Sequence, residues 1–467
     1  MEKTEAKPAT SMVRPELSLT NVKKGFIADN FGLRPYMALL TVVLVALPAV
    51  VAYGIMYRQA INVPYQDDYN VILAFATDYH QLLSLKAKLV ETATRQTNDY
   101  KLVFAHAIVA LELELTGHLN FGFLVALGNL LLVPIAYLLW RTYATNEQPL
   151  ARRLMEFLPI SLIFFSLTYW ETLNWAMAGL QNISVVLFSF LSIYLLLPAG
   201  ATPTRGRVIL SCVSAILAAF SSANGFLLAP IGLFIFLRRR AYADLLAWCV
   251  SFVLPFVAYL YHYVPHSVSM AATHRTLHLK ALYYFLAFLG CVIPNRQVPS
   301  YGQLGAAVLG LAVLIVISFA IGKRFDRSNP VAFHLMLWIL ATGILVAFLR
   351  GSIASRYSIY SNLLLTFCYS FLKEYVPQRW KSFNRKRFCV ASVALSAVLC
   401  LLADVVGYQH LAARRCMILA GIEHYRSNPD VNSPMIDPLV RLVYPLEEAF
   451  ERETLTRAIE QRIYTLP

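Results

Sequence analysis

Charge is what this sequence has least of. Only 14% of its residues are charged and 58% are hydrophobic, against roughly 25% charged in soluble domains. A soluble protein of this size would alternate apolar faces with solvated ones, and this chain does not. Its seven cysteines include no CxxC pair. Cys212, Cys249, Cys291, Cys368, Cys389 and Cys400 lie in apolar runs and only Cys416 in a polar stretch, which argues against a disulfide framework and a thiolate metal site. No Gly-rich phosphate loop or Rossmann pattern is visible, which disfavours a nucleotide-sugar donor. Short-period repeats and low-complexity tracts are missing too.

What the sequence does have is apolar runs of the length needed to cross a bilayer, about 20 residues each. They fall at residues 36–57, 118–140, 155–170, 180–197, 208–221, 225–237, 241–264, 302–321, 331–349, 357–373 and 388–408. The pattern predicts an all-α polytopic membrane protein of about eleven spans. Residues 281–294 form a further apolar run that stops at Pro294 and reads as a half-helix or interfacial segment. The polar stretch 1–35 is too long for the n-region of a signal peptide, so the first span is expected to be retained.

Lys and Arg choose the orientation, because cytoplasmic loops hold an excess of them. With the N-terminus inside, inner loops carry Arg141, Arg152, Arg153, Arg205, Arg207, Arg238–Arg240, Lys323, Arg324 and Arg327. Lys373, Arg379, Lys381 and Arg385–Arg387 follow in the last inner loop. The short outer loops hold only Arg350 and Arg356. The net charge of +14 therefore reads as topology and inner-leaflet contact, not nucleic-acid binding. Residues 1–35 become a cytoplasmic tail, 36–408 the membrane bundle with 58–117 its first periplasmic loop, and 409–467 a periplasmic helical tail divided by Pro434, Pro438 and Pro445. That tail covers a substrate groove or simply packs on the bundle. Within the first loop, 101–117 is placed at the membrane interface.

This orientation gathers the unusual polar residues on one face. Asp67 and Asp68 stand side by side in Gln66-Asp67-Asp68-Tyr69. A carboxylate there can accept a proton from a sugar hydroxyl, and crowding two of them raises one pKa unless a cation or metal neutralises them. Equally, the pair suits a cap at the start of residues 70–76. Arg350 and Arg356 bracket Arg350-Gly351-Ser352-Ile353-Ala354-Ser355-Arg356; arginine grips phosphate oxygens bidentately, or snorkels to lipid headgroups. Glu171 and Asn174 lie between Trp170 and Trp175, a set that suits a sugar ring, although tryptophan also anchors membrane interfaces. His262, His266, His274 and His278 offer metal-ligand atoms with no carboxylate near them in sequence. Ser221-Ser222-Ala223-Asn224-Gly225 reads as a tight outer turn.

A multi-span chain with an acidic pair just after the first span resembles the GT-C class of integral-membrane glycosyltransferases, which also carry interfacial helices in that loop. Pro64-Tyr65-Gln66-Asp67-Asp68-Tyr69, Asn98-Asp99-Tyr100-Lys101, Ser222-Ala223-Asn224-Gly225, Ser355-Arg356-Tyr357 and Leu442-Val443-Tyr444-Pro445 are also similar to segments of a group of bacterial polytopic membrane proteins. The GT-C resemblance implies inverting transfer of a sugar from a polyprenyl-phosphate donor to an envelope glycan or lipid, at the periplasmic face of a bacterial inner membrane. It implies Asp67 or Asp68 as the base and Arg350 or Arg356 on the donor phosphate. Tyr69, Asp99, Lys101, Glu171 and Asn174 would line the sugar or acceptor pocket. Some members of the class need a divalent metal; no other cofactor is expected. A transporter or flippase for lipid-linked glycans, or a non-catalytic assembly component, is the alternative. A transporter favours polar residues near the midplane and pseudo-symmetric halves, whereas here the polar groups gather at one face.

Overall fold

The structure is a computed structural model that describes residues 34–97, 100–143, 149–198, 202–264, 277–293, 301–349, 353–379, 384–427 and 447–467. The described residues form helices and their connections, with no β-strand among them. The chain opens with α1 (Arg34–Gln59), then a π-helical turn (Tyr69–Leu73) leading into α2 (Ala74–Gln81), α3 (Leu85–Thr94) and α4 (Val103–Thr116). Next come α5 (Phe121–Leu130), α6 (Leu132–Tyr143), α7 (Leu150–Phe164), α8 (Trp170–Leu173), α9 (Ala176–Leu196), α10 (Arg205–Ser221) and α11 (Leu228–Arg239). After them run α12 (Tyr242–Ser251), α13 (Val253–Leu260), α14 (Leu277–Leu289), α15 (Tyr301–Gly322), α16 (Phe325–Ser328), α17 (Pro330–Leu349), α18 (Ser358–Arg379), α19 (Arg385–Ser427) and α20 (Glu447–Glu460).

Each of the eleven apolar runs is helical over most of its length. Seven helical stretches among the described residues are long and apolar enough to cross a membrane, at 38–59, 121–143, 176–196, 242–260, 303–322, 330–348 and 386–423. The runs at 155–170, 208–221 and 225–237 give shorter helices, and α7 stops at Phe164 where the chain turns. Local chemistry sets several starts: Ser84 caps α3 by accepting the Ala87 N–H at 3.2 Å, and Asn120 caps α5 by accepting that of Phe123 at 3.0 Å. Gly117, at φ 73°, terminates α4 in the left-handed region that glycine tolerates.

Polar contacts sort the connections to two opposite ends of the bundle. At one end Arg238 donates to Asp326 at 2.9 Å, Arg239 to the Leu196 carbonyl at 2.8 Å and Asn329 to the Thr142 carbonyl at 3.3 Å, while Lys373 pairs with Glu156. These are the basic loops. At the other end the Ser221–Gly225 turn is held by Asn224, whose amide donates to the Tyr360 hydroxyl at 3.0 Å and whose carbonyl accepts the Trp338 indole N–H at 3.1 Å. A Cβ on Gly225 would stand 2.2 Å from the Ala218 carbonyl oxygen, so only glycine fits that turn.

Helix α19 has 43 residues, about 65 Å of helix, twice the roughly 30 Å of a hydrocarbon core. It is continuous across residue 408, where the sequence suggested that a separate tail begins, and it carries the tail onto the first loop. There Val63, Tyr69, Phe75, Val109, Phe121 and Trp175 form a second apolar core with Ile418, Ile422, Leu455, Ile463 and Tyr464. Tyr464 packs edge-on against Phe121 at 5.6 Å and donates to the Asn62 carbonyl at 2.7 Å. Leu119 donates its N–H to the Ile463 carbonyl at 2.7 Å, and Arg457 pairs with Asp78 at 3.1 Å. Burying such an aromatic contributes about 2–3 kcal/mol, so loop and tail stabilise each other. Pro434, Pro438 and Pro445 lie outside the described residues.

Candidate functional site

The loop after α1 makes a tight turn at Gln66, whose φ of 49° is left-handed. Asp68 donates its N–H to the Tyr65 carbonyl at 3.0 Å, and Tyr69 to that of Gln66 at 3.1 Å. The turn leaves Asp67 half-buried and drives Asp68 into the interior, 1% exposed. Asp68 accepts the Tyr65 N–H at 3.1 Å and, with its other oxygen, the Met177 N–H at 2.8 Å. The helix that follows Asp68 receives no side-chain cap; the capping the acidic pair suggested goes instead to the start of α9, over a hundred residues on. Burial pushes the Asp68 carboxyl up to about 7, against the opposing pull of the two N–H groups and of Arg414.

Met177 lies in the first turn of α9, just after a stretch, 165–175, in which the chain breaks between α7 and α9. Its free backbone groups are claimed by side chains from all around. Asn362 of α18 donates to the Ile163 carbonyl at 2.8 Å and the Thr168 hydroxyl at 2.9 Å. Asp404 of α19 accepts the Leu167 N–H at 2.9 Å, and Asn129 donates to the Leu173 carbonyl at 2.7 Å. Glu171 accepts from the Ser355 hydroxyl at 2.8 Å, while the Thr172 hydroxyl donates to the Arg356 carbonyl at 3.4 Å. The carbonyl of Asn174, a buried residue, accepts from the Arg414 guanidinium.

Side chains stack across the same stretch. The Arg414 guanidinium lies 3.4 Å from the centre of the Tyr65 ring, Tyr65 meets Trp175 edge-on at 5.6 Å, and Arg356 lies 5.5 Å from the Trp175 ring. Two arginines thus flank an aromatic pair. Clefts border the stretch. One is lined by Asp68, Asn174, Arg414, Arg415 and Gln59; another by Thr168, Trp170, Ser355, Ser358 and Gln303, with no charged group among the described residues.

The structure therefore brings Asp67, Asp68, Tyr69, Glu171, Asn174 and Arg356 to one end of the bundle. Tyr69 is wholly buried in the core beneath the loop rather than on a cleft wall. Lys101 is buried as well; its ammonium donates to the Ala258 carbonyl at 3.1 Å and to that of Tyr261, closing the end of α13. Asp99 and Arg350 lie outside the described residues, as do His266 and His274. Among the described residues no three His, Cys, Asp or Glu side chains gather as a ligand set.

Arg414 was missed by the sequence reading, which ended the last span at 408. The signal was there: Asp404, Gly407, His410 and Arg414 recur every three or four residues, one face of a helix that does not stop.

No protein-family model matches the chain, and no curated protein matches it in sequence. Among solved structures it is similar to the crystal structure of ArnT from Cupriavidus metallidurans in the apo state, with a TM-score of 0.50, 14% identity, and coverage of 83% of this chain and 79% of that one. At that identity the similarity is one of fold. The chain is a polytopic membrane protein, helical over its described residues, with a fold similar to that of ArnT.

Proposed function

We propose that this protein is an inverting glycosyltransferase of a bacterial inner membrane. It would move a sugar from a polyprenyl-phosphate donor to an envelope glycan or lipid acceptor at the periplasmic face. The basic loops at one end of the bundle support a cytoplasmic N-terminus and a periplasmic C-terminal tail. The observation that carries the reading is a buried carboxyl, Asp68, poised at about 7 on the wall of a cleft it shares with two arginines.

In the proposed reaction Asp68 takes the proton of the acceptor hydroxyl as that oxygen attacks the anomeric carbon. Its oxygens already accept one N–H each, and each keeps a lone pair for the substrate. Asp67 stands beside it and raises its basicity. The bond from the anomeric carbon to the donor phosphate oxygen breaks on the opposite side, with inversion, and the lipid phosphate leaves carrying the electron pair. Arg356 or Arg350 neutralises that charge. Trp170, Glu171 and Asn174 hold the sugar ring.

The test is glycan transfer in cells lacking the protein, re-expressing the wild type or the Asp67→Asn and Asp68→Asn variants at equal levels. The proposal expects loss of transfer with Asp68→Asn while lipid-linked donor accumulates. Normal transfer with both variants would overturn it.

A further inference from the structure

Apart from Arg414, the polar stripe on α19 is not used by the chemistry above. Asp404, Gly407, His410 and Arg414 share one helix face, and in turn they meet successive residues of the broken 165–175 stretch. Asp404 accepts the Leu167 N–H at 2.9 Å. A Cβ at Gly407 would stand 2.5 Å from the Leu167 Cβ and 2.7 Å from its carbonyl oxygen, so the two backbones touch. The His410 ring lies parallel to that of Trp170, 5° apart in plane and 4.8 Å between centres. Arg414 holds the Asn174 carbonyl. Asp404 itself sits within the apolar run 388–408, where an ionisable group is costly. The Leu167 N–H begins a short turn after α7 has ended at Phe164, so no carbonyl of a regular helix reaches it.

We propose that α19 is the positioning element of the 165–175 stretch, and that Asp404 is a positioning residue that fixes it by hydrogen bonding rather than by charge. Helix α19 then joins two tasks. Its inner half sets Trp170, Glu171 and Asn174, while its outer half, through Ile418 and Ile422, is built into the core shared by the first loop and the tail. The consequence for catalysis rests on the glycosyltransferase reading; the placement does not.

The experiment is hydrogen–deuterium exchange on the purified full chain, comparing wild type with Asp404→Asn, Asp404→Leu and Gly407→Ala. Peptides from α9 report whether the bundle is intact. Asn keeps a carbonyl oxygen for Leu167, so Asp404→Asn is expected to exchange as wild type does. Asp404→Leu and Gly407→Ala are expected to speed exchange over 165–175 by roughly tenfold, the loss of one such bond, with α9 unchanged. Where wild-type transfer is measurable, the same two variants should lose kcat and Asp404→Asn should keep it.

Wild-type exchange in Asp404→Leu would overturn the proposal. So would exchange in Asp404→Asn as fast as in Asp404→Leu, because charge would then be the operative property. If Asp404→Leu loosens α9 as well, Gly407→Ala and Asp404→Asn decide by the same criteria. The predicted exchange pattern in a protein without transfer activity would sink the glycosyltransferase reading and leave this one standing.

Discussion

Asp68 accepts the backbone N–H of Met177 at 2.8 Å, so a carboxylate in the first loop caps the helix that begins at Ala176. A negative charge at a helix N-terminus is favourable, and this one also fixes the loop to the start of α9, where the broken 165–175 stretch ends. The same group is therefore a structural clasp and the proposed base.

The clasp has a measurable strength. Asp68→Ala leaves the N–H groups of Tyr65 and Met177 buried without that acceptor, and is expected to cost about 2 kcal/mol of stability. Asp67→Ala, at a half-exposed position, should cost much less. Thermal unfolding of both variants checks the ordering; equal losses would contradict it.

Arg414 is expected to act on Asp68 through its charge. Removing the cation in Arg414→Gln takes away a pull that lowers the carboxyl pKa. The pH at which transfer reaches half its maximum should then rise. Arg414→Lys keeps the charge and should leave that pH in place, while losing the flat stack on Tyr65. Rate–pH curves of the two variants separate these effects.

Glu112 gives a pH test of stability that involves no substrate. It is buried, accepts the Asn120 N–H at 3.0 Å, and burial pushes its carboxyl up to about 7. A raised carboxyl pKa means that the folded state holds its proton where the unfolded chain has lost it. The resulting stabilisation is complete below the unfolded value and is lost as pH rises through about 7. Gln imitates the protonated form. Glu112→Gln should therefore match wild type near pH 4 and have the higher Tm near pH 8; melting curves at the two pH values decide it.

Much of this arrangement was legible in the sequence, for physical reasons. Long apolar runs must become helices in a bilayer, and two adjacent acids beside a span must be neutralised or used. Charge bias placed the first loop, the 171–179 connection and the 350–356 connection on one face, and the structure brings Asp68 to Met177 and Glu171 to Ser355. The partners themselves were not legible. Nothing near Asp68 in sequence points to Met177, and nothing near Lys101 points to the end of α13, since both are backbone groups of remote elements. Arg414 was lost because falling hydropathy after residue 408 looked like the end of a helix. The helix continues because its far half is buried by Leu455, Ile463 and Tyr464.

Arg356 should be sensitive to shape as well as charge. Its guanidinium lies 5.5 Å from the Trp175 ring and 5.6 Å from that of Tyr357. Arg356→Lys retains a cation but not the planar face that stacks and grips phosphate. The expected result is a donor KM raised about tenfold, equivalent to roughly 1.4 kcal/mol. Donor titration at saturating acceptor measures it, and an unchanged KM would move the phosphate elsewhere.

The most direct test of the account is the rate of glycan transfer against pH for wild type, Asp67→Asn and Asp68→Asn, each shown to be folded. With Asp68 as the base, the wild-type rate rises through about 7 as the carboxyl ionises. Asp67→Asn removes a neighbouring negative charge, so its curve should shift to lower pH. Asp68→Asn should fall by about a hundredfold or more and lose that limb. A folded Asp68→Asn variant that transfers at the wild-type rate with the same limb would contradict the account.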